Sequence, residues 1–353
     1  MRAAVLEAHG EPLEITDIDR PTADPDGVVI ETEACGICRS DWHAWQGDWG
    51  WLGLEAQPGQ VLGHEPAGRV VEVGENVENV AEGDHVAVPF NLGDGSCPEC
   101  RRGHSNTCEN VMPLGFVEQA PGAFAEELHV PVADHNAVHL PDGVSSTDMA
   151  GLGCRFMTSF HALAHRADVG AGDWVAVHGC GGVGLSAVHI ADALGANVVA
   201  VDLQEEKLEK AKSLGAVETV DASDTDDVPD AVKALAGGGT QVSVDALGIE
   251  TTCQNSVLSL GNRGQHVQIG LTTQDEQGMV SLPTDAMVMQ EIEFIGSLGM
   301  PPTRYDEIFR LVASGKLDPS AVVSETVGLD DVPEKLDAMT DYETVGIPVI
   351  DEF

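Results

Sequence analysis

Trp174-Val175-Ala176-Val177-His178 is an apolar, β-branched run, followed at once by Gly179-Cys180-Gly181-Gly182-Val183-Gly184. A glycine-rich loop between a strand and a helix lets the backbone approach a pyrophosphate and aims a helix N-terminus at it. The helix side of this context is present. Val183, Ala187, Ile190, Ala191 and Leu194 recur on one face, and Gly195 stands where a helix-ending glycine belongs. Asn197–Asp202 reads as the next strand, with Asp202 placed 18 residues beyond Gly184. An acid there accepts hydrogen bonds from a ribose diol and repels a 2′-phosphate, so NAD is the expected cofactor. High salt weakens that repulsion, and some NADP use is compatible with it. Lys207, one turn on, is either a ribose contact or a solvated helix residue.

The alternation continues outward from this stretch. Glu205–Leu214, closed by Gly215, and Thr251–Leu260 read as helices, and Val242–Leu247 and His266–Gly270 as strands. This predicts a doubly wound parallel unit over residues 156–295. Residues 1–155 differ: short β-type runs (Val28–Glu31, Gly68–Val73, His85–Pro89) are separated by turn signals such as Pro25-Asp26-Gly27 and Glu82-Gly83-Asp84. Such spacing suggests a small barrel-like β domain. Residues 296–353 return to mixed helix and strand, with Tyr305–Ser314 helical, and are grouped with the first domain. The expected class is α/β, a β-rich domain joined to a Rossmann unit.

The charge is lopsided: 59 acidic against 17 basic residues, a formal −42, with six lysines and eleven arginines. Phosphate binding needs a basic footprint, so nucleic acid is disfavoured as a partner. Self-repulsion opposes the compact state at low salt, whereas the Debye length falls to ~3 Å at 1 M. This pattern suits a halophile's salt-loaded cytoplasm. The sequence shows no apolar run of bilayer length and no basic start followed by an apolar stretch, so a cytoplasmic protein without a membrane partner is expected. Eight cysteines in that compartment favour metal sites over disulfides.

Three separate segments each carry a soft ligand: Cys38 in Gly36-Ile37-Cys38-Arg39-Ser40-Asp41, His64 in Gly63-His64-Glu65, and Cys154 in Gly151-Leu152-Gly153-Cys154. Two thiolates and an imidazole suit a tetrahedral zinc with an open fourth position, as catalysis requires. Local spacing does not tie the three together. Cys35-Gly36-Ile37-Cys38 is also a CxxC pair, and a single histidine is more often an ordinary one than a ligand. Asp94-x2-Cys97-x2-Cys100-x7-Cys108 is a stronger local signal for a closed, structural zinc lobe. Asp94 is its uncertain member, and His104 is the fallback.

Together these residues resemble the zinc-dependent medium-chain alcohol dehydrogenases over essentially the whole chain. The likeness is closest to the yeast and microbial type, in Cys38-Arg39-Ser40-Asp41-Trp42-His43-Ala44-Trp45-Gln46-Gly47-Asp48-Trp49. The resemblance implies a GroES-like first domain, a catalytic zinc on Cys38, His64 and Cys154, and Glu65 behind it. It makes Ser40 and His43 a proton relay, Arg39 a pyrophosphate contact and Thr158 a nicotinamide contact. Trp49 and Phe90 would line the pocket of a small alcohol or aldehyde, and the assembly would be a homotetramer. Two departures stand out. Asp94 occupies a position where the family carries cysteine, and Val345-Gly346-Ile347-Pro348 lacks the arginine that many members place there. A sugar or polyol dehydrogenase is the runner-up, and a zinc- and nucleotide-binding protein without turnover is the alternative from another class. A zinc-free quinone reductase would not need the three ligands.

The −42 charge generates a direct expectation. Activity and quaternary structure should need molar salt, and dialysis into dilute buffer should cause dissociation and inactivation, slowed by NADH. An unchanged oligomer by light scattering, with full activity after days in dilute buffer, would contradict it.

Overall fold

The computed structural model describes residues 1–340, 342 and 344–353. Its contacts divide the chain into two units. One comprises Met1–Met157, Gly299–Ser314 and Asp318–Phe353, and the other Thr158–Leu298 and Gly315–Leu317. Among the described residues, no helix is long and apolar enough to cross a membrane.

The first unit is built on a seven-stranded sheet. Its order is Val323–Gly328, Ile347–Glu352, Val28–Gly36, Glu65–Val73, His85–Ala87 and Val138–His139, with Glu127–Val130 also paired to Val28–Gly36. The strands are longer than the sequence suggests. Val28–Gly36 and Glu65–Val73 each run nine residues, through polar and glycine positions that pattern reading takes as breaks. Their pairing tolerates register shifts at Val29/Ile30 and Thr32/Ala34, and such irregularities bend a sheet locally. Leu6, Ile30, Ile37, Leu62, Phe124 and Leu128 form part of the core on which the sheet closes. The register sets Gly36 opposite Glu65. The two strand ends therefore carry Cys38 and His64 into the same neighbourhood.

The second unit is a six-stranded parallel sheet. Its order is Ala216–Asp221, Asn197–Asp202, Trp174–His178, Thr240–Asp245, Leu260–Gln268 and Glu293–Gly296. In chain order this is third, second, first, fourth, fifth, sixth, so the direction of winding reverses beside Trp174–His178. Ligands of such sheets bind at the carboxyl ends of the strands at this reversal, which is where the glycine loop lies. Parallel central strands are buried on both faces, and Val175, Ala176, Val177, Val198, Val199 and Ala200 are fully buried. Ala216–Asp221 and Glu293–Gly296 are strands that the apolar pattern did not reveal. Both are edge strands with exposed acidic positions, so their hydrophobic signal is weak.

The loop glycines do different physical work. Gly179 has φ +91, and a Cβ on Gly184 would lie 1.7 Å from the Gly179 carbonyl oxygen. Helix Gly182–Ala193 can approach its strand only because Gly184 has no side chain. A Cβ on Gly181 would meet nothing within 4 Å. Gly184→Ala should therefore lower stability to denaturant by about 1–3 kcal/mol. Gly181→Ala should change it by no more than about 0.5 kcal/mol while weakening NADH binding. Equal unfolding midpoints for the two variants would contradict this packing.

Candidate active site

Cys38 is the N-cap of helix Arg39–Gln46, His64 directly precedes strand Glu65–Val73, and Cys154 opens helix Cys154–Phe160. These termini converge. The ligand atoms of Cys38, His64, Cys154 and Glu65 all lie within 4.8 Å of one another. Gly63 makes the approach with φ +97, where a Cβ would stand 2.4 Å from the Phe124 ring.

Asp41, 1 % exposed, organises this group. Its Oδ2 accepts from the Cys38 amide at 2.8 Å, and its Oδ1 accepts from the Gly63 amide at 3.2 Å and from His64 Nδ1 at 2.7 Å. One carboxylate thus ties two ligand-bearing segments together and fixes the tautomer of His64. The other ring nitrogen, Nε2, is buried with no hydrogen-bond partner. An orphaned imidazole nitrogen between two thiols is what a soft divalent metal fills, at ~2.0 Å from nitrogen and ~2.3 Å from sulfur. A hydrogen bond with Cys154 pulls the Cys38 thiol well below its ordinary pKa and pushes Cys154 up. His64 rises despite its burial, because Asp41 and Cys38 favour its charge. Glu65 is held by Arg155: the Arg155 amide donates to Oε1 at 3.2 Å, Nε to Oε1 at 3.3 Å, and Nη2 to Oε2 at 2.5 Å.

Around the group, His43 Nδ1 donates to Asp48 Oδ2 at 2.8 Å, and the ring stacks on Trp49 at 4.5 Å. Ser40 is half-buried on the same helix. Phe90 and Phe116 stand edge-on to His64 at 6.0 and 5.5 Å, and Phe116 stacks on Trp49. The Arg39 guanidinium lies over both Trp42 and Tyr342, 4.1 Å from each ring, and donates to the Met339 carbonyl. Asp41, Asp48, Phe116 and Arg155 were not singled out from sequence. Asp41 alone left a trace, three residues after Cys38, the spacing at which an acid caps the helix it opens.

In the second unit, Asp202 Oδ2 accepts from the Cys180 amide at 2.6 Å and Oδ1 from the Gln204 amide at 3.0 Å. It ties the glycine loop to the end of its strand, and it is not the N-cap of the next helix, which is Gln204. Lys207 is buried rather than solvated, 6 % exposed. Burial and the Asp202 charge push the Cys180 thiol up, and the Lys207 ammonium opposes them. Gly181 has an open face, where a Cβ would meet nothing within 4 Å. Thr158 Oγ1 is buried without a partner.

The lobe also assembles, with the ligand atoms of Asp94, Cys97, Cys100 and Cys108 within 4.8 Å of one another. Asp94 is inside this group and His104 is not among its members. Asp94 Oδ1 accepts from the Ser96 and Cys97 amides at 2.8 Å and Oδ2 from Asn110 at 2.6 Å, which holds its carboxyl well below the usual range. Sulfur atoms accept from backbone as well: Cys97 from the Cys100 amide at 3.4 Å, and Cys108 from the Asn110 amide at 3.3 Å. Burial pushes the Cys100 thiol up to about 12.

Residues 24–142 match the model of the alcohol dehydrogenase GroES-like domain, and residues 182–314 that of the zinc-binding dehydrogenases. The chain is 33 % identical to an NAD-dependent alcohol dehydrogenase of Sulfurisphaera tokodaii, covering 99 % of both chains. It is 32 % identical to an alcohol dehydrogenase of Geobacillus stearothermophilus, covering 95 % of this chain and 96 % of that one. Among solved structures, an alcohol dehydrogenase from Thermus sp. ATN1 superposes with a TM-score of 0.90 at 29 % identity, covering 99 % of each chain.

The lobe predicts a metal count. Purified enzyme should hold two zincs per chain, and Cys100→Ala should lose one of them together with thermal stability. A single zinc, unchanged in Cys100→Ala by metal analysis, would mean that Asp94 marks a lobe without metal.

Proposed function

This chain belongs to the zinc-dependent medium-chain alcohol dehydrogenase family, and we propose that it transfers hydride reversibly between a primary or secondary alcohol and NAD, giving an aldehyde or ketone. The observation that carries this reading is the partnerless, buried Nε2 of His64 between the thiols of Cys38 and Cys154. Zinc, when bound by these three residues, supplies Lewis-acid polarisation of the substrate oxygen, and NAD, when bound at the glycine loop, supplies the hydride acceptor.

The remaining steps fall to the chain's own side chains. Asp41 accepts a hydrogen bond from the Nδ1–H of His64, which keeps the proton on Nδ1 and leaves the Nε2 lone pair for the metal. Ser40 accepts the alcohol proton and His43 passes it to solvent. Burial lowers the His43 pKa while Asp48 opposes the shift, so the ring is neutral at neutral pH. With Nδ1 committed to Asp48, Nε2 is the atom that receives and releases the proton. Trp49 and Phe90 line the substrate pocket, joined by Phe116, and such an apolar wall disfavours a polyol. Asp202 and Lys207 hold the ribose, Thr158 the nicotinamide, and the amides of Gly181, Gly182, Val183 and Gly184 the pyrophosphate. Asp94, Cys97, Cys100 and Cys108 hold the structural zinc.

The assembly we propose is a cytoplasmic, salt-adapted homotetramer. Two features support association: Glu293–Gly296 is an open sheet edge, and Val288 and Met289 in the preceding helix are 78 % and 84 % exposed.

A panel of alcohols assayed with NAD and NADP at high salt should show NADH formation and a preference for NAD. Cys154→Ser should abolish turnover while NADH still binds by fluorescence, because Cys154 does not build the glycine loop. Turnover by Cys154→Ser near the wild-type rate after metal removal would overturn the assignment.

A further inference from the structure

Glu65 poses a problem for a metal site that must stay open. Its carboxylate lies within 4.8 Å of the ligand atoms of Cys38, His64 and Cys154, and a carboxylate oxygen is itself a zinc ligand at ~2.0–2.2 Å. As a fourth protein ligand it would close the site and exclude substrate.

Arg155 meets both carboxylate oxygens with three N–H groups, one from its backbone and two from its guanidinium. The side chains are 4 % and 0 % exposed. The place where Glu65 is held is shaped for it. A Cβ on Gly36 would lie 2.3 Å from Glu65 Oε2, and a Cβ on Gly153 would lie 2.6 Å from Glu65 Cβ. Arg155 also directly follows Cys154 on the first turn of helix Cys154–Phe160, so a metal ligand and the group that holds Glu65 share one rigid element. The charges pair in the same way: two thiolates offset a divalent metal, and Arg155 offsets Glu65. Without Arg155 the buried carboxylate is drawn to the metal, because an uncompensated buried charge is costly.

We propose that Arg155 is a positioning residue that holds Glu65 off the metal and so reserves the fourth coordination position for substrate. This rests on the zinc reading above. The test loads the whole enzyme with cobalt(II) and follows imidazole binding to the metal through the visible spectrum, with no turnover involved. Wild type should bind imidazole. Arg155→Gln should bind it about 10-fold more weakly or worse, because Glu65 takes the position, and adding Glu65→Gln should restore the affinity. A merely structural role for Arg155 predicts no such rescue by a second lesion. Arg155→Lys, which keeps the charge and loses the fork, should fall between, and it carries the same comparison with and without Glu65→Gln if Arg155→Gln does not fold. Wild-type affinity in the Arg155 variants, or a defect that Glu65→Gln does not relieve, overturns the proposal and leaves the metal reading standing. A wild-type protein that takes up no cobalt at Cys38, His64 and Cys154 overturns both.

Discussion

Burying two thiolates, an imidazole, two carboxylates and a guanidinium in one small volume is costly unless each charge has a partner. Cys38, Cys154, His64, Asp41, Glu65 and Arg155 satisfy that constraint as a set. Asp41 is bound to His64 and to two backbone amides, and Glu65 is bound to Arg155. What remains is one imidazole nitrogen without a partner beside a pair of thiols bound to each other, a set that suits a divalent soft metal. The sheet serves this arrangement: the Gly36–Glu65 register brings two ligand segments together, and glycines at 36, 63 and 153 leave the room.

The second unit solves a simpler problem with backbone. A parallel sheet reverses its winding beside Trp174–His178, and the glycine loop there needs one acid, Asp202, to lock it to the neighbouring strand. The carboxylate that makes this lock is the one we propose for the ribose. The acidic surface gives Asp202 no special status by composition; its two backbone hydrogen bonds do.

Legibility followed the locality of each interaction. The strand–loop–helix at 174–194 was readable because its period, its glycines and its closing Gly195 lie within one short stretch. The lobe was readable for the same reason, and Asp94 proves to sit with the three sulfurs. Long-range partners left no such mark. Nothing near Glu65 in sequence points to Arg155, 90 residues away. Asp48 lies only five residues from His43, yet it is one aspartate among many in so acidic a chain. Edge strands such as Ala216–Asp221 were hidden because their exposed faces carry no apolar alternation. Lys207 read as a solvated residue as readily as a ribose contact, and only the fold shows it buried.

The central claim is direct hydride transfer from alcohol carbon to NAD, dependent on metal at Cys38, His64 and Cys154. The measurement that reaches it most directly supplies an alcohol deuterated at the carbinol carbon together with NAD, and reads the isolated cofactor by mass spectrometry and NMR. The account predicts deuterium on the nicotinamide ring in the metal-loaded enzyme and none after chelation, with label restored by adding zinc back. Reduced cofactor whose new hydrogen comes from solvent, or label transfer undiminished after the metal is removed, would contradict it.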